Sequence, residues 1–300
     1  MKQRPHKTLR RTLMASLMGA LIGVLPGWAA AAGDLELIEP GKLHVAFNGD
    51  MPGTGLDENG NLKGLDGEIM SWVADQLGLE VVPHLMEWAS EIESVKAGRV
   101  DVMHGMMAWT ASREKVLSIT DPIYHVSPVI TQPKDRNWNT VEDLEGKTFG
   151  TITGFALIPD LKRIPGLSLK LYDTTDAAIR DLMAGRVQAI FADPPLIHWA
   201  IQQNPDWPIH YSPIAKYNPD YPVFTRRYGV VFALNRQAKN LTAAFNEQIR
   251  KAWATCKNWD IAKNYGMASE AWFTPAESTT RPGIDRPADW QLPRLPASCM

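Results

Sequence analysis

Cysteine is scarce in this 300-residue sequence, basic charge is not in excess, and the longest apolar run is too short to cross a membrane. Each absence removes a class of protein. Two cysteines, Cys256 and Cys299, cannot build a disulfide-dense framework, and their spacing is not that of a zinc site. In an oxidising compartment they can pin the C-terminal tail; two separate thiols fit the sequence equally well. The seven histidines are scattered rather than clustered, so neither a metal nor another cofactor is expected. With 31 basic against 33 acidic residues, the chain lacks the basic footprint of a nucleic-acid binder.

The first 32 residues read as a targeting segment. Lys2, Arg4, Lys7, Arg10 and Arg11 form a basic start, an apolar run follows from Leu13 to Leu25, and small residues Ala29 to Ala32 precede Gly33. That order is a secretory signal with its cleavage site, and the run falls short of the roughly 20 residues of a spanning helix. Removal would take five of the 31 basic residues and none of the acids, leaving 26 against 33. A soluble, periplasmic product is expected, long enough for two medium domains with their own cores.

Strands and helices alternate through the rest. Leu43 to Phe47 reads as a strand, Ile69, Met70, Val73 and Leu77 recur at helical spacing before Gly78, and Glu80 to Val82 is a second strand. Ile92 and Val95 mark a short helix stopped at Gly98, and a strand follows from Val100. The step Val95-Lys96-Ala97-Gly98-Arg99-Val100 is echoed by Leu182-Met183-Ala184-Gly185-Arg186-Val187. The second copy sits in its own run of strand at Thr148 to Ile152, helix at Phe155 to Leu161, strand at Leu169 to Tyr172 and helix at Asp176 to Met183. Gly229 to Leu234 then reads as one strand, followed by a long amphipathic helix through Leu241, Phe245, Ile249 and Trp253 and a last helix from Trp259 to Tyr265. Two similar α/β lobes, each an open sheet flanked by helices and joined by a hinge of two crossings, account for length and pattern. The boundaries expected are 33–127 for the first part of lobe 1, 128–225 for lobe 2 and 226–267 for the return. The Pro-rich tail, 268–300, is expected to be extended, either packed on the surface or disordered.

Ligands of open α/β sheets sit beyond the carboxyl ends of strands. One such end precedes Gly105-Met106-Met107-Ala108-Trp109-Thr110-Ala111-Ser112-Arg113; the other precedes Asp193-Pro194-Pro195. An arginine on one lobe and a carboxylate on the other suit a zwitterion. From the residues alone, Arg113 could equally be a solvated helix charge, Asp193 a helix cap and Trp88 a core side chain.

Several stretches, in order, resemble the polar amino-acid-binding proteins of the periplasm, solute-binding family 3. They are Gly60-Asn61-Leu62-Lys63-Gly64-Leu65-Asp66-Gly67-Glu68, Ala97-Gly98-Arg99-Val100-Asp101-Val102, Thr110-Ala111-Ser112-Arg113-Glu114-Lys115 with Asp121-Pro122-Ile123-Tyr124, and Val141-Glu142-Asp143-Leu144-Glu145-Gly146-Lys147. The resemblance implies a type II periplasmic binding protein fold and a monomer that carries a zwitterionic amino acid or derivative to an inner-membrane ABC permease by hinge closure. It implies that Arg113 pairs with the ligand carboxylate, Asp193 receives its ammonium and Trp88 forms a pocket wall. It also sets Gly154 in a loop whose free amides suit an anion. Met106, Ala108 and Phe155 fall in the same loops. Ala108 and Phe155-Ala156 stand where the family carries hydroxyls, and Asp50 replaces an aromatic residue, so a modified amino acid, an opine or an amino-acid-derived osmolyte becomes a credible ligand. A turn-forming Asp50 is the plainer reading of that position. Two alternatives stay open: a cyclohexadienyl dehydratase-like enzyme, with His104, Glu87 or Asp50 as acid, and a sensor that presents ligand to a receptor.

Overall fold

In the computed structural model the described residues are 35–276 and 279–300. The expected signal, 1–32, lies outside them. Among the described residues no helix is long and apolar enough to cross a membrane.

The chain opens with β1 (Lys42–Phe47), a small hairpin of β2 (Gly55–Leu56) and β3 (Leu62–Lys63), α1 (Leu65–Gln76), β4 (Glu80–Leu85), α2 (Trp88–Lys96) and β5 (Val102–Met103). After α3 (Ala111–Glu114), β6 (Leu117–Ile119) and β7 (Tyr124–Val126), it crosses into a second run. That run comprises β8 (Val129–Pro133), β9 (Thr148–Ile152), α4 (Ile158–Leu161), β10 (Ser168–Tyr172), α5 (Thr175–Met183), β11 (Ala189–Ile190), α6 (Pro194–Gln203) and β12 (Ile209–Pro213). After α7 (Pro222–Thr225) the chain returns through β13 (Tyr228–Val230) and β14 (Ala233–Asn235) and ends in α8 (Lys239–Ala254), α9 (Lys257–Lys263) and α10 (Glu270–Phe273).

Two five-stranded sheets result, ordered β4-β1-β5-β14-β6 and β10-β9-β11-β8-β12. Each holds three parallel strands, and its fourth strand runs antiparallel to both neighbours. In the first sheet that strand, β14, enters from the crossing; in the second, β8 leaves it. The crossings pair with one another as β7 and β13, with Tyr124 opposite Val230. Gly229 keeps them close: a Cβ there would stand 2.6 Å from Pro122 Cβ. This is the two-lobed α/β architecture with a double-crossing hinge.

The first core is built as the periodicity implies. Leu65, Ile69, Met70 and Val73 of α1 turn one buried face to β1, while Leu241, Phe245, Ile249 and Trp253 of α8 close the same core. The second lobe has its own core around Ile130, Leu144, Phe149, Phe191 and Phe224. The echoed step is one structural device used twice. Gly98 and Gly185 take φ of 67° and 68°. The following arginine amides reach back to Ser94 and Asp181 carbonyls, at 2.9 Å in both cases, closing the helix end and releasing the chain into a strand.

Four expectations are corrected. Gly229 to Leu234 is not one strand: β13 belongs to the hinge and β14 to the first sheet, divided where Phe232 exchanges hydrogen bonds with Thr120. The strand expected from Val100 is only Val102–Met103, which leaves His104 beyond its end. The helix expected from Phe155 begins at Ile158, because Phe155 and Ile158 amides close successive turns on Ile152 and Phe155 carbonyls. The described residues of the tail are not only superficial. Trp272, Phe273, Arg281 and Trp290 are buried, and Cys299 is bonded to Cys256 with Cα atoms 5.5 Å apart.

Gly185 has nothing within 4 Å of an added Cβ, so its left-handed φ of +68° is the whole obstacle to a side chain. Gly185→Ala should cost about 1–2 kcal/mol in chemical unfolding while leaving ligand affinity unchanged.

Candidate functional site

A cavity of about 780 Å³ lies between the strand ends of the two lobes, lined by both and by the hinge. Lobe 1 presents the loop after β5. Its conformation is set from beneath by Asp66, a fully buried carboxylate at the start of α1. Asp66 accepts the Met106 amide at 2.8 Å and the Tyr124 hydroxyl at 2.9 Å. Burial raises its pKa to about 7 against the lowering effect of those two donors. Met106 is held at φ 55°, a left-handed conformation that costs a non-glycine residue roughly 1–2 kcal/mol. Its side chain occupies the space beside Gly53 and lines the cavity.

The loop then delivers the arginine. Thr110 caps α3 by accepting the Arg113 amide at 3.2 Å. Arg113 Nη1 donates to the Ala108 carbonyl at 2.6 Å, and the guanidinium lies 5.6 Å from the Trp88 ring centroid. Trp88 fits against the loop because residue 105 is glycine: a Cβ there would come within 2.9 Å of Trp88 Cζ3. Four arginines line the cavity, and they differ in commitment. Arg281 is paired with Asp285, Arg227 donates to the Ala271 and Thr274 carbonyls, and Arg226 donates to Tyr217 Oη. Arg113, like Arg226 and Arg227, makes no ion pair within 4.0 Å among the described residues, and its bond to the Ala108 carbonyl leaves the rest of its fork without a hydrogen-bond partner there.

From lobe 2 comes Asp193, at the head of α6. It stands in the cap position, yet its side chain caps nothing; only its carbonyl is used, by the Ile197 amide at 3.1 Å. Burial pushes its pKa up to about 7; Arg113 opposes the rise, and Asp50 and Asp66 add to it. In turn, burial lowers the Arg113 pKa, while Asp193 and then Tyr228 support its charge. The two groups thus line the same cavity. Phe155 lines lobe 2's side and packs edge-on against Phe191 at 6.0 Å.

Carboxylates gather elsewhere on the wall. Asp50 and Glu87 come from lobe 1, Asp173 and Asp176 from lobe 2. Asp50 is exposed at the rim, takes a 2.7 Å bond from Asn48 Nδ2, and is raised in pKa by partial desolvation, then by Glu87 and Asp176. Below it, fully buried Glu91 is pushed up to about 9, by burial first and then by Asp50, Asp66 and Glu87. Glu91 is therefore neutral at pH 7.

Of the residues singled out in the sequence, Arg113, Asp193, Trp88, Ala108, Met106, Phe155 and Asp50 line this one cavity. Gly154 does not. It forms a turn at φ 85°, the Phe155 amide of that loop is spent on the Ile152 carbonyl at 3.2 Å, and α4 begins only at Ile158. His104 is also off the wall. It is buried between Phe47 and Phe232, has no partner for either ring nitrogen among the described residues, and is pushed down to about 3 by desolvation. Sequence reasoning missed Asp66, whose motif was visible but whose buried bonds were not. It also missed Trp109 and Tyr228, and the tail residues Thr279, Thr280, Arg281 and Leu292 on the wall.

The model of the bacterial extracellular solute-binding proteins, family 3, matches residues 43–268. The chain belongs to that family. It is 28% identical over 155 residues to the probable amino-acid-binding protein YxeM of Bacillus subtilis, covering 49% of this chain and 57% of that one. It is 28% identical over 160 residues to the L-cystine-binding protein TcyJ of Escherichia coli, covering 52% and 60%. The chain thus spans somewhat over half the length of these relatives. An ancestral arginine-binding protein bound to arginine shares the fold at a TM-score of 0.64, with 23% identity and coverage of 75% and 98%. AncCDT-1, an ancestral amino-acid-binding protein and precursor of cyclohexadienyl dehydratase, does so at 0.62, with 19% identity and coverage of 75% and 95%.

The contact between Gly105 and Trp88 can be tested. Gly105→Ala should displace the indole, change the near-ultraviolet circular dichroism of the protein and lower stability by about 1–3 kcal/mol, the usual cost of overpacking.

Proposed function

We propose that this protein is the periplasmic binding component of an ABC importer and carries an amino acid or amino-acid derivative. The observation that carries this reading is the opposition of Arg113 and Asp193, one from each lobe, on the wall of one cavity. An α-carboxylate would take two charge-assisted hydrogen bonds from the Arg113 fork, and an α-ammonium would sit against Asp193. Ligand docks on lobe 1 first; lobe 2 then closes about the β7–β13 hinge and excludes water, which strengthens both ion pairs. The closed form is what a permease would recognise. Export through the segment 1–32, lobe boundaries near 127 and 225, and a monomeric state belong to the same reading.

The ligand's far end is expected to be cationic or strongly polar. Asp50, Glu87 and Asp176 all line the cavity, and after desolvation Glu87 and Asp176 add to the cost of charge on Asp50. Relatives named as binding arginine and histidine are consistent with that choice. We read the protein as a binder rather than an enzyme. His104, the first candidate for a general acid, is neutral and walled off from the cavity.

Arg113→Ala should weaken ligand binding by about 2–5 kcal/mol in titration calorimetry, the loss typical when one partner of a desolvated charge pair is deleted. An unchanged affinity would remove Arg113 from the site.

Asp193 gives the pH dependence. With its pKa near 7 in the free protein, it is increasingly protonated as pH falls, whereas an ammonium requires the carboxylate. Affinity should fall below pH 7 by up to about tenfold per pH unit, with proton release on binding near pH 7, and fall separately at alkaline pH where the ligand ammonium loses its proton. Asp193→Asn should bind more weakly and lose the fall below pH 7.

A further inference from the structure

The family match ends at residue 268, yet the chain continues to 300 and returns to the cavity. Its path is fixed by buried charge. Arg281 and Asp285 side chains are only 3% and 6% exposed and meet at 2.6 Å. Arg281 also donates to the Thr120 carbonyl at 2.7 Å. Arg286 pairs with fully buried Asp121 at 2.8 Å and donates to the Ile119 carbonyl at 2.8 Å. The far end is tied to the end of α8 by the Cys256–Cys299 bond. Unpaired, these groups would be costly to bury, so the tail has one arrangement rather than many.

That arrangement reaches the binding loop. Asp285 Oδ2 accepts the Trp109 indole N–H at 3.0 Å, and the Arg281 guanidinium lies 5.5 Å from the same indole. Trp109 directly follows Ala108, the residue whose carbonyl holds the Arg113 guanidinium. We propose that the C-terminal segment 279–300 is a working part of the ligand site. In it Asp285 is a positioning residue: through Trp109 it fixes the Ala108 carbonyl, and so sets where Arg113 offers its fork to the ligand carboxylate. The proposal rests on the amino-acid-binding reading above and adds a second support beneath it, from a part of the chain that the family match does not reach.

The test uses the full chain with its disulfide intact, titrated calorimetrically with L-arginine, L-histidine, L-glutamine and L-cystine. Two variants cut the link from either side. Asp285→Asn weakens the acceptor; Trp109→Phe removes the donor and leaves the buried ion cluster whole, which keeps the test valid if the first variant folds poorly. Each should weaken the best-bound ligand by about tenfold, the effect of losing one hydrogen bond to a charged group. A structural role alone would predict losses independent of Arg113. Positioning predicts coupling: combined with Arg113→Lys, either variant should add far less than its single effect. Unchanged affinity in folded Trp109→Phe, or strict additivity with Arg113→Lys, would overturn the proposal. Failure of the unmodified protein to bind any of the four would remove the functional reading itself, and this one with it.

Discussion

A guanidinium and a carboxylate that line one cavity without bonding to one another are the constraint on which the account depends. Each is held away from other partners by the fold: Arg113 touches a carbonyl rather than an acid, and Asp193 caps no helix. Desolvation disfavours the charge on both, and each supports the charge of the other. On the proposed reading a zwitterion would supply at its two ends the groups that both lack, and lobe closure would bring them to it. Affinity and closure would then be one event, because the interactions that hold the ligand are those that draw the lobes together.

The supporting structure works to keep that pair free. Asp66 spends its lone pairs on Met106 and Tyr124, so a buried carboxylate on α1 shapes the loop above it and never enters the cavity. Met106 carries the resulting backbone strain at φ 55°. Such strain persists where surrounding bonds over-determine a conformation, and it lies within the loop that presents Arg113. Of the cavity arginines Arg281 is ion-paired, Arg226 and Arg227 donate to a hydroxyl and to backbone carbonyls, and Arg113 is the one whose charge Asp193 supports. The small hinge strands, with Gly229 packed on Pro122, carry the two chain passages between the lobes.

Much of this was legible in the sequence, for physical reasons that also explain what was not. Helix ends at Gly98 and Gly185 were readable because a left-handed residue there is a local necessity, indifferent to the rest of the fold. The faces of α1 and α8 were readable from the spacing of Ile69, Val73, Phe245 and Ile249, since burial follows period. The division of Gly229 to Leu234 between hinge and sheet was not, because an apolar run carries no mark of which neighbour each residue will pair with. That Arg113 and Asp193 line one cavity was legible from their positions after strand ends. Gly154 stays off the cavity wall that its neighbours Thr153 and Phe155 line, because which residue of a glycine turn faces a cavity is not fixed by local sequence. The tail was the largest omission: five prolines read as extended chain, and nothing local reveals that Arg281 and Asp285 are buried against Trp109.

The most direct test of the central claim is the distance between lobes while a ligand is dismantled pole by pole. Spin labels at exposed Asp75 on α1 and Arg180 on α5 would report that distance by pulsed electron resonance. The account predicts that the intact amino acid shortens it, whereas neither the decarboxylated nor the deaminated analogue does so at the same concentration. Full closure with either analogue would show that one pole is enough, and would contradict the account.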